Sequence, residues 1–135
     1  MKTTKYTTEI KLVKDLIQKI ENELKDNTNN IKKFVKSKLW LKAGELETVN
    51  KTLELVVYSL DELIDPEYSN FCPKDIKLTV TEIKEELRHA KLNRQESKQE
   101  KDWFRVEQLE YEIASLEICK EAVEALQKEF KNVKK

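Results

Sequence analysis

Apolar residues recur along the chain at intervals of three and four, the spacing that places them on one face of an α-helix. In the first segment Ile10, Val13 and Ile17 belong to such a face, which predicts a helix over about 7–25. The polar run Asp26–Asn30 comes next, and side chains of this kind favour a turn. We therefore expect the first helix to end before this run.

A second apolar stripe begins at Ile31 and keeps its helical phase past Gly44 as far as Ile64. A turn usually shifts the phase of such a stripe, so the pattern predicts one long helix over about 31–64. The alternative is two helices that meet at 42–45, because glycine in a helix costs about 1 kcal/mol relative to alanine.

The connection after this helix spans residues 65–73, and Pro66 ends the helix because proline cannot continue it. The connection carries Tyr68 and Phe71, and we expect it to pack against the helices. A narrower apolar stripe then predicts a third helix over about 74–95.

Residues 93–102 contain no apolar side chain and form either a solvated turn or a polar extension of the third helix. A fourth helix is predicted over about 103–132 from a nearly heptad seam. The seam consists of Val106, Leu109, Ile113, Leu116, Val123, Leu126 and Phe130. A second row on another face consists of Tyr111, Ala114, Ile118, Ala122 and Ala125. Two rows on one helix indicate contacts on two sides.

Four helical segments with short connections predict an all-α, antiparallel up-down four-helix bundle. Two helices are long, about 31–64 and 103–132, and two are shorter, about 7–25 and 74–95. We expect residues 1–135 to form a single domain, and no internal repeat is apparent. The long second helix would extend past the first by about 20 Å at 1.5 Å per residue. The linker, the other helices, a second copy or a partner would have to cover its apolar stripe there.

Composition supports this fold and excludes several others. The chain has one glycine and two prolines, so it lacks the tight turns of a β-sandwich or barrel and cannot form a glycine-rich phosphate loop. Its 26 basic and 26 acidic residues give a net charge of zero, although residues 1–43 have a net positive charge and residues 44–89 a net negative charge. Either these parts neutralise each other inside the bundle or the first part exposes a basic face.

The candidates for catalytic chemistry are few. His89 is the single histidine, which leaves Cys-His and Ser-His nucleophilic sites without support. Glu86 and His89 have the Glu-x-x-His spacing of di-iron bundles, but that site needs the motif twice. The many glutamates of the fourth helix alternate with lysines, as on a solvated face. We therefore predict that the chain is not an enzyme and has no catalytic, metal or cofactor site.

Two cysteines are too few for a disulfide framework, so free thiols in a cytoplasmic protein are expected. Cys119 lies among apolar residues and is expected in the core, whereas Cys72 lies in the connection; a single bridge between them stays an alternative. The first eight residues contain no apolar run, and no segment reaches the length of a membrane span, so neither a signal peptide nor a transmembrane helix is expected.

The most suggestive local feature is residues 32–42, which combine five lysines with two aromatic side chains. On one continuous helix, Trp40 would share a side with several of these lysines and with Tyr58, five turns farther on. The residues expected to bind a partner are Lys32, Lys33, Lys36, Trp40, Leu41, Leu55 and Tyr58. The alternative is that Trp40 and Tyr58 pack against another helix, with lysine stems covering them.

These observations predict a non-catalytic protein–protein interaction module: a small adaptor, inhibitor or assembly subunit that binds through helix faces. Its partner would be another protein or a second copy of the chain, so a dimer is one expectation. The alternative is a nucleic-acid-binding helical protein that uses residues 32–42, with lysines on phosphates and an aromatic ring on a base.

Overall fold

The computed structural model, which describes residues 6–67 and 70–133, folds into four α-helices. Helix α1 spans Thr7–Lys36, α2 spans Trp40–Ile64, α3 spans Ile76–Gln99 and α4 spans Trp103–Lys131. A short 3₁₀ turn at Pro73–Asp75 precedes α3, and the described ranges contain no strand. The all-α helical bundle predicted from the sequence is confirmed.

The helices pack as two hairpins, α1 with α2 and α3 with α4, which meet mainly through α2 and α4. Within the first hairpin Asn27 bonds Asn50, and these residues lie about equally far from the turn, as in antiparallel packing. Within the second, Ile76 at the start of α3 and Phe130 at the end of α4 line one cleft. Helices α2 and α4 run in the same direction, because Leu41 near the start of one lies beside Phe104 near the start of the other.

The predicted boundary between the first two helices is wrong. Helix α1 continues through the polar run to Lys36, the chain reverses at residues 37–39, and Gly44 lies inside α2. Neither a single helix over 31–64 nor a break at 42–45 is formed. The reversal depends on Lys38, whose φ of 63° is left-handed, and on the N–H of Leu39, which donates to the Phe34 carbonyl at 2.7 Å. This is a helix C-cap in which lysine holds the place that glycine usually takes.

Hydrogen bonds between α1 and α2 explain why the polar run is helical. The Asn27 side chain donates to Asn50 Oδ1 at 3.0 Å, and Asn50 Nδ2 donates to Thr28 Oγ1 at 3.5 Å. The Thr28 hydroxyl donates to the Leu24 carbonyl at 2.8 Å. Because Asn50 is buried, its amide needs these partners. Two residues of the polar run that was expected to form a turn, Asn27 and Thr28, are therefore part of the contact between α1 and α2.

A double-mutant experiment tests this polar contact. We expect Asn50→Ala to lower the free energy of unfolding by about 1–2 kcal/mol, because it leaves a cavity and removes the partner of Asn27. Asn50→Ile combined with Asn27→Ala should restore most of that loss, because no polar group is then left without its partner. Urea unfolding followed by circular dichroism measures the free energy of unfolding of the wild type, the Asn50→Ala variant and the double variant. A double variant less stable than Asn50→Ala would contradict this explanation.

The third helix also differs from its predicted bounds of 74–95. It begins at Ile76, after the 3₁₀ turn, and extends through the polar run to Gln99. Lys101, with φ of 59°, reverses the chain. Asp102 then caps α4 by accepting a hydrogen bond from the Arg105 N–H at 3.2 Å. The observed end of α4 agrees within one residue with the predicted end of 132.

The four helices contain 30, 25, 24 and 29 residues, so the longer pair is α1 and α4, and the expectation that the second helix is long and the first short is wrong. Because no helix spans 31–64, the predicted apolar overhang is not formed, and no partner is needed to cover it.

The predicted seam of α4 forms part of the core, and all seven of its residues are buried. Most of the second row is exposed: Ile118 is 68% exposed, and Ala114 and Ala125 are exposed as well, whereas Tyr111 hydrogen-bonds Glu45 of α2. Cys119 is buried, as predicted. In the connection, Phe71 stacks edge-to-face on Tyr6 and Phe130, with ring centroids 6.1 and 6.2 Å apart. Tyr68 lies outside the described residues.

The two hairpins are related by an internal repeat in which equivalent residues are 63 positions apart, as Lys38 and Lys101 are. Between residues 38–64 and 101–127 the identical pairs are Lys38/Lys101, Trp40/Trp103, Leu46/Leu109, Glu47/Glu110, Leu53/Leu116, Glu54/Glu117 and Leu63/Leu126. Buried pairs recur at the same offset, among them Val13/Ile76, Ile17/Val80, Ile20/Ile83 and Leu60/Val123. The expectation of no repeat is wrong, because seven of the 27 positions aligned at this offset are identical and buried positions recur with it.

Candidate protein-binding surface

Large apolar side chains gather at the end of the bundle where the two hairpin turns lie. Both α2 and α4 begin there with a tryptophan followed by a second large apolar residue. We call this surface the turn-end patch and define it by Leu39, Trp40, Leu41, Trp103 and Phe104. The two halves of the patch are adjacent, because Leu41 and Phe104 line the same small surface pocket.

The turn-end patch is open to solvent. Trp40 is 61% exposed, Leu41 63%, Trp103 62% and Phe104 55%. Single exposed apolar residues are common on soluble proteins, but a contiguous cluster rich in tryptophan marks a site of interaction. Tryptophan is also the residue type most enriched among those that dominate binding energy at protein interfaces.

Two similar turns present these side chains. In the first, the N–H groups of Ser37, Lys38 and Leu39 donate to carbonyls of the last turns of α1. In the second, residues 100–102 make the corresponding three bonds to the last turns of α3. Each turn ends its helix with a lysine at positive φ and starts the next helix two residues later. The backbone therefore places each tryptophan at the first position of its helix, at the end of the bundle.

The first turn is strongly basic. Residues 27–44 contain five lysines and no acidic residue: Lys32, Lys33, Lys36, Lys38 and Lys42. Lys33 and Lys36 lie in the last turn of α1, where the negative end of the helix dipole favours positive charge. The ammonium group of Lys42 lies 5.8 Å from the centroid of the Phe34 ring, a cation–π contact that spans the turn.

The structure brings together five of the seven residues predicted to bind a partner. Lys32, Lys33, Lys36, Trp40 and Leu41 all lie at or beside the turn-end patch and are exposed. They belong to two helices, so the prediction that they share a single helix face is wrong.

The other two predicted residues lie elsewhere on α2. Leu55 is half-buried and packs against the core, which makes it structural. Tyr58 is 67% exposed but lies 18 residues beyond Trp40, about 27 Å along the helix. The alternative that Trp40 and Tyr58 are covered by another helix of the bundle disagrees with their exposure.

Sequence reasoning missed Trp103 and Phe104. Their signal was present, because a Trp-apolar pair two residues after a lysine occurs at both 40–41 and 103–104. It was overlooked because the long-helix interpretation placed the first pair in the middle of a helix and the second pair at a helix start.

The opposite end of the bundle contains a cleft of about 780 Å³. Tyr6, Cys72, Ile76 and Phe130 contribute to its walls, and four lysines lie around it: Lys74, Lys77, Lys128 and Lys131. Glu124 is the one acidic residue that lines it among those described. His89 is not part of this cleft, so the cleft does not combine the histidine with acids.

The residues considered for chemistry are dispersed. His89 lies on an exposed face of α3, with Nε2 3.0 Å from the Arg88 guanidinium and 3.4 Å from Glu85 Oε1. The hydrogen bond from Arg88 to Glu85 lowers the pKa of that carboxyl, and its charge lowers it further. Both cysteines are free thiols, and burial raises the pKa of Cys119 to about 11, so its reactive thiolate form is disfavoured at neutral pH.

Within residues 6–67 and 70–133, no three histidine, cysteine, aspartate or glutamate side chains are grouped as they would be to hold a metal ion. In the same ranges, no helix combines the length and the apolar character needed to cross a membrane. Comparison of the chain with protein-family models, curated proteins and solved structures finds no match.

Proposed function

We propose that this chain is a non-catalytic protein-binding module, a small adaptor, inhibitor or assembly subunit of the cytoplasm, that binds its partner through the turn-end patch. The observation that carries the proposal is the exposure of two tryptophans, a phenylalanine and two leucines at one end of the bundle, where Leu41 and Phe104 line a common pocket. Burial of such side chains on binding removes apolar area from water at roughly 25 cal/mol per Å² before the costs of association. The free thiols of Cys72 and Cys119 agree with a reducing compartment.

Charge indicates the chemistry of the partner. Five lysines flank the apolar side chains on the side of the first hairpin, and Glu45 is the first acidic residue after them. A protein surface with exposed apolar side chains beside aspartates or glutamates complements this arrangement. Residues 27–44 contain five lysines and no acidic residue, and the equivalent residues 90–107 contain five basic and four acidic residues, so the surroundings of the patch are net positive and two copies would repel each other if their patches met directly. An acidic partner protein is therefore the better candidate.

Nucleic acid is the second candidate, and the acid-free stretch around Trp40 favours it. Lysines could contact phosphates while the indole stacks on a base. The second half of the patch opposes it, because Glu96, Glu100 and Asp102 near Trp103 offset the charge of Lys98, Lys101 and Arg105 and so remove the attraction for a phosphate backbone there. Leu41 and Phe104 in the centre also suit apolar side chains better than phosphates.

Affinity capture with matched variants tests the proposal. Purified wild-type chain, a Trp40→Ala/Trp103→Ala variant and a Leu78→Ala/Ile118→Ala control are immobilised and incubated with lysate of the source cells, with and without nuclease. Leu78 and Ile118 are 53% and 68% exposed but lie outside the patch, so the control removes exposed apolar side chains of a similar kind. We expect a protein that survives nuclease, remains with the control and disappears with the tryptophan variant.

Other outcomes separate the candidates. Proteins bound equally by all three baits would show that the turn-end patch does not bind them, and the proposal would fail. Nucleic acid recovered in place of protein, with loss on changing Lys32, Lys33 and Lys36 to glutamate, would favour the second candidate. Its binding should then weaken steeply with salt, because phosphate contacts release counterions.

A further inference from the structure

The internal repeat relates the two Trp-apolar pairs of the turn-end patch to each other. At the offset of 63 residues Trp40 corresponds to Trp103 and Leu41 to Phe104, whereas Leu39 corresponds to Asp102. Equivalent residues also face each other where α2 meets α4, since Leu41 and Phe104 line one pocket together with Glu45 and Gln108. A pocket shared by equivalent residues of two parallel helices is the arrangement that a local two-fold axis between α2 and α4 produces. An axis at this position passes through the turn-end patch and exchanges its two Trp-apolar pairs.

Part of the charge beside the patch does not obey this symmetry. Three lysines in the last turns of α1 have uncharged or acidic equivalents at the end of α3. The equivalent pairs are Lys32/Gln95, Lys33/Glu96 and Lys36/Gln99, and all six side chains are exposed. The two Trp-apolar pairs are therefore duplicated, and so are the basic pairs Lys38/Lys101 and Lys42/Arg105, whereas the basic side formed by Lys32, Lys33 and Lys36 has no basic equivalent on the second hairpin.

We propose that the partner contributes one amphipathic helix that lies across the local two-fold axis, with apolar side chains on both tryptophans and an acidic end over Lys32, Lys33 and Lys36. This inference rests on the proposed function and specifies the binding element. A helix presents apolar residues in a row at three- and four-residue spacing, which suits a patch with two separated tryptophans and an apolar centre. The duplicated apolar halves provide the affinity, and the single basic side decides which way round the helix lies.

The symmetry permits a charge-transplant experiment. One variant removes the basic side by Lys32→Gln, Lys33→Glu and Lys36→Gln. A second variant carries these changes and also the reciprocal ones, Gln95→Lys, Glu96→Lys and Gln99→Lys. Rotation about the local axis would give this second variant the wild-type charge at these positions, while Glu100 and Asp102 remain in place of the equivalents Ser37 and Leu39. All six positions are exposed, so the fold should be retained, and circular dichroism checks that it is.

The probe is a fluorescein-labelled helical peptide of about 18 residues, about 27 Å long as a helix. It carries leucines at i, i+3, i+4 and i+7, with glutamates confined to one end, and fluorescence anisotropy measures its affinity. We expect the variant without the basic side to bind at least tenfold more weakly than the wild type. The transplant variant should recover to within about threefold of the wild type, because opposite charges again face each other.

Each arm of the experiment has a contrary result. A transplant variant that binds as weakly as the variant without the basic side would overturn the two-fold inference, as would loss of binding by only one of Trp40→Ala and Trp103→Ala. If the wild type binds a peptide with lysines in place of the glutamates as tightly as this peptide, the inference that the partner helix has an acidic end would be overturned. The proposed function would fail separately, in the capture experiment, if no protein depended on the patch.

Discussion

Replacing Trp40 and Trp103 together by alanine is expected to abolish partner binding in practice, with a loss of at least 100-fold in affinity. Tryptophans at the centre of an interface commonly contribute 2 kcal/mol or more each when truncated, which corresponds to about 30-fold per residue. Both side chains are more than half exposed, so the free energy of unfolding should change by less than about 1 kcal/mol. Isothermal titration calorimetry with the captured partner, together with urea unfolding of the variant, measures both quantities.

The matched control for this experiment is Leu78→Ala/Ile118→Ala, which should keep the affinity of the wild type within about threefold. A loss of stability of several kcal/mol in the tryptophan variant would show that these side chains support the fold. A fully retained affinity would show that the partner binds elsewhere on the bundle. Each single tryptophan variant should lose between about 10-fold and 100-fold, because equivalent halves should contribute comparably.

Replacing Leu60 by alanine is expected to lower the free energy of unfolding by about 3 kcal/mol. Leu60 has no exposed surface and belongs to the main core, so its truncation removes apolar contacts and leaves a cavity. A domain of this size is stabilised by about 5–15 kcal/mol in total, so the loss is a large fraction. The melting temperature should fall by about 10 °C, and differential scanning calorimetry measures it.

Leu41→Ala is the control for Leu60→Ala, because it removes the same atoms from a side chain that is 63% exposed. We expect it to change the free energy of unfolding by no more than about 0.5 kcal/mol and to weaken partner binding. Equal destabilisation by the two substitutions would mean that Leu41 is covered in solution, for example by self-association. Sedimentation at several protein concentrations would then test for a dimer.

The number and type of elements followed from periodicity alone, but the position of the first turn did not. A stripe of apolar residues records which side of a helix is buried and does not record whether the backbone reverses between two of its members. The turn at Lys38 uses a lysine where glycine is usual, and the polar residues before it are satisfied by Asn50, which is 22 or more positions away in the sequence. Both signals depend on partners that become neighbours only after folding.

The candidate surface shows the same division. The residues 32–42 attracted attention from their composition, and five of the seven predicted site residues lie at the turn-end patch. The patch itself exists because residues 38–41 and 101–104 are brought to one end of the bundle by the pairing of α2 with α4. No local pattern places Leu41 beside Phe104, because that proximity is a property of the packing between two hairpins.

The sequence by itself determined an all-α bundle of four helices, the buried seam of α4 and the burial of Cys119, since helical periodicity and the scarcity of glycine and proline are local properties of the chain. The tertiary structure decided where α1 ends, how the polar residues between α1 and α2 are satisfied, and which apolar side chains remain exposed. Those outcomes depend on hydrogen bonds and contacts between residues far apart in the chain, and these form only when α1 packs against α2 and α2 against α4.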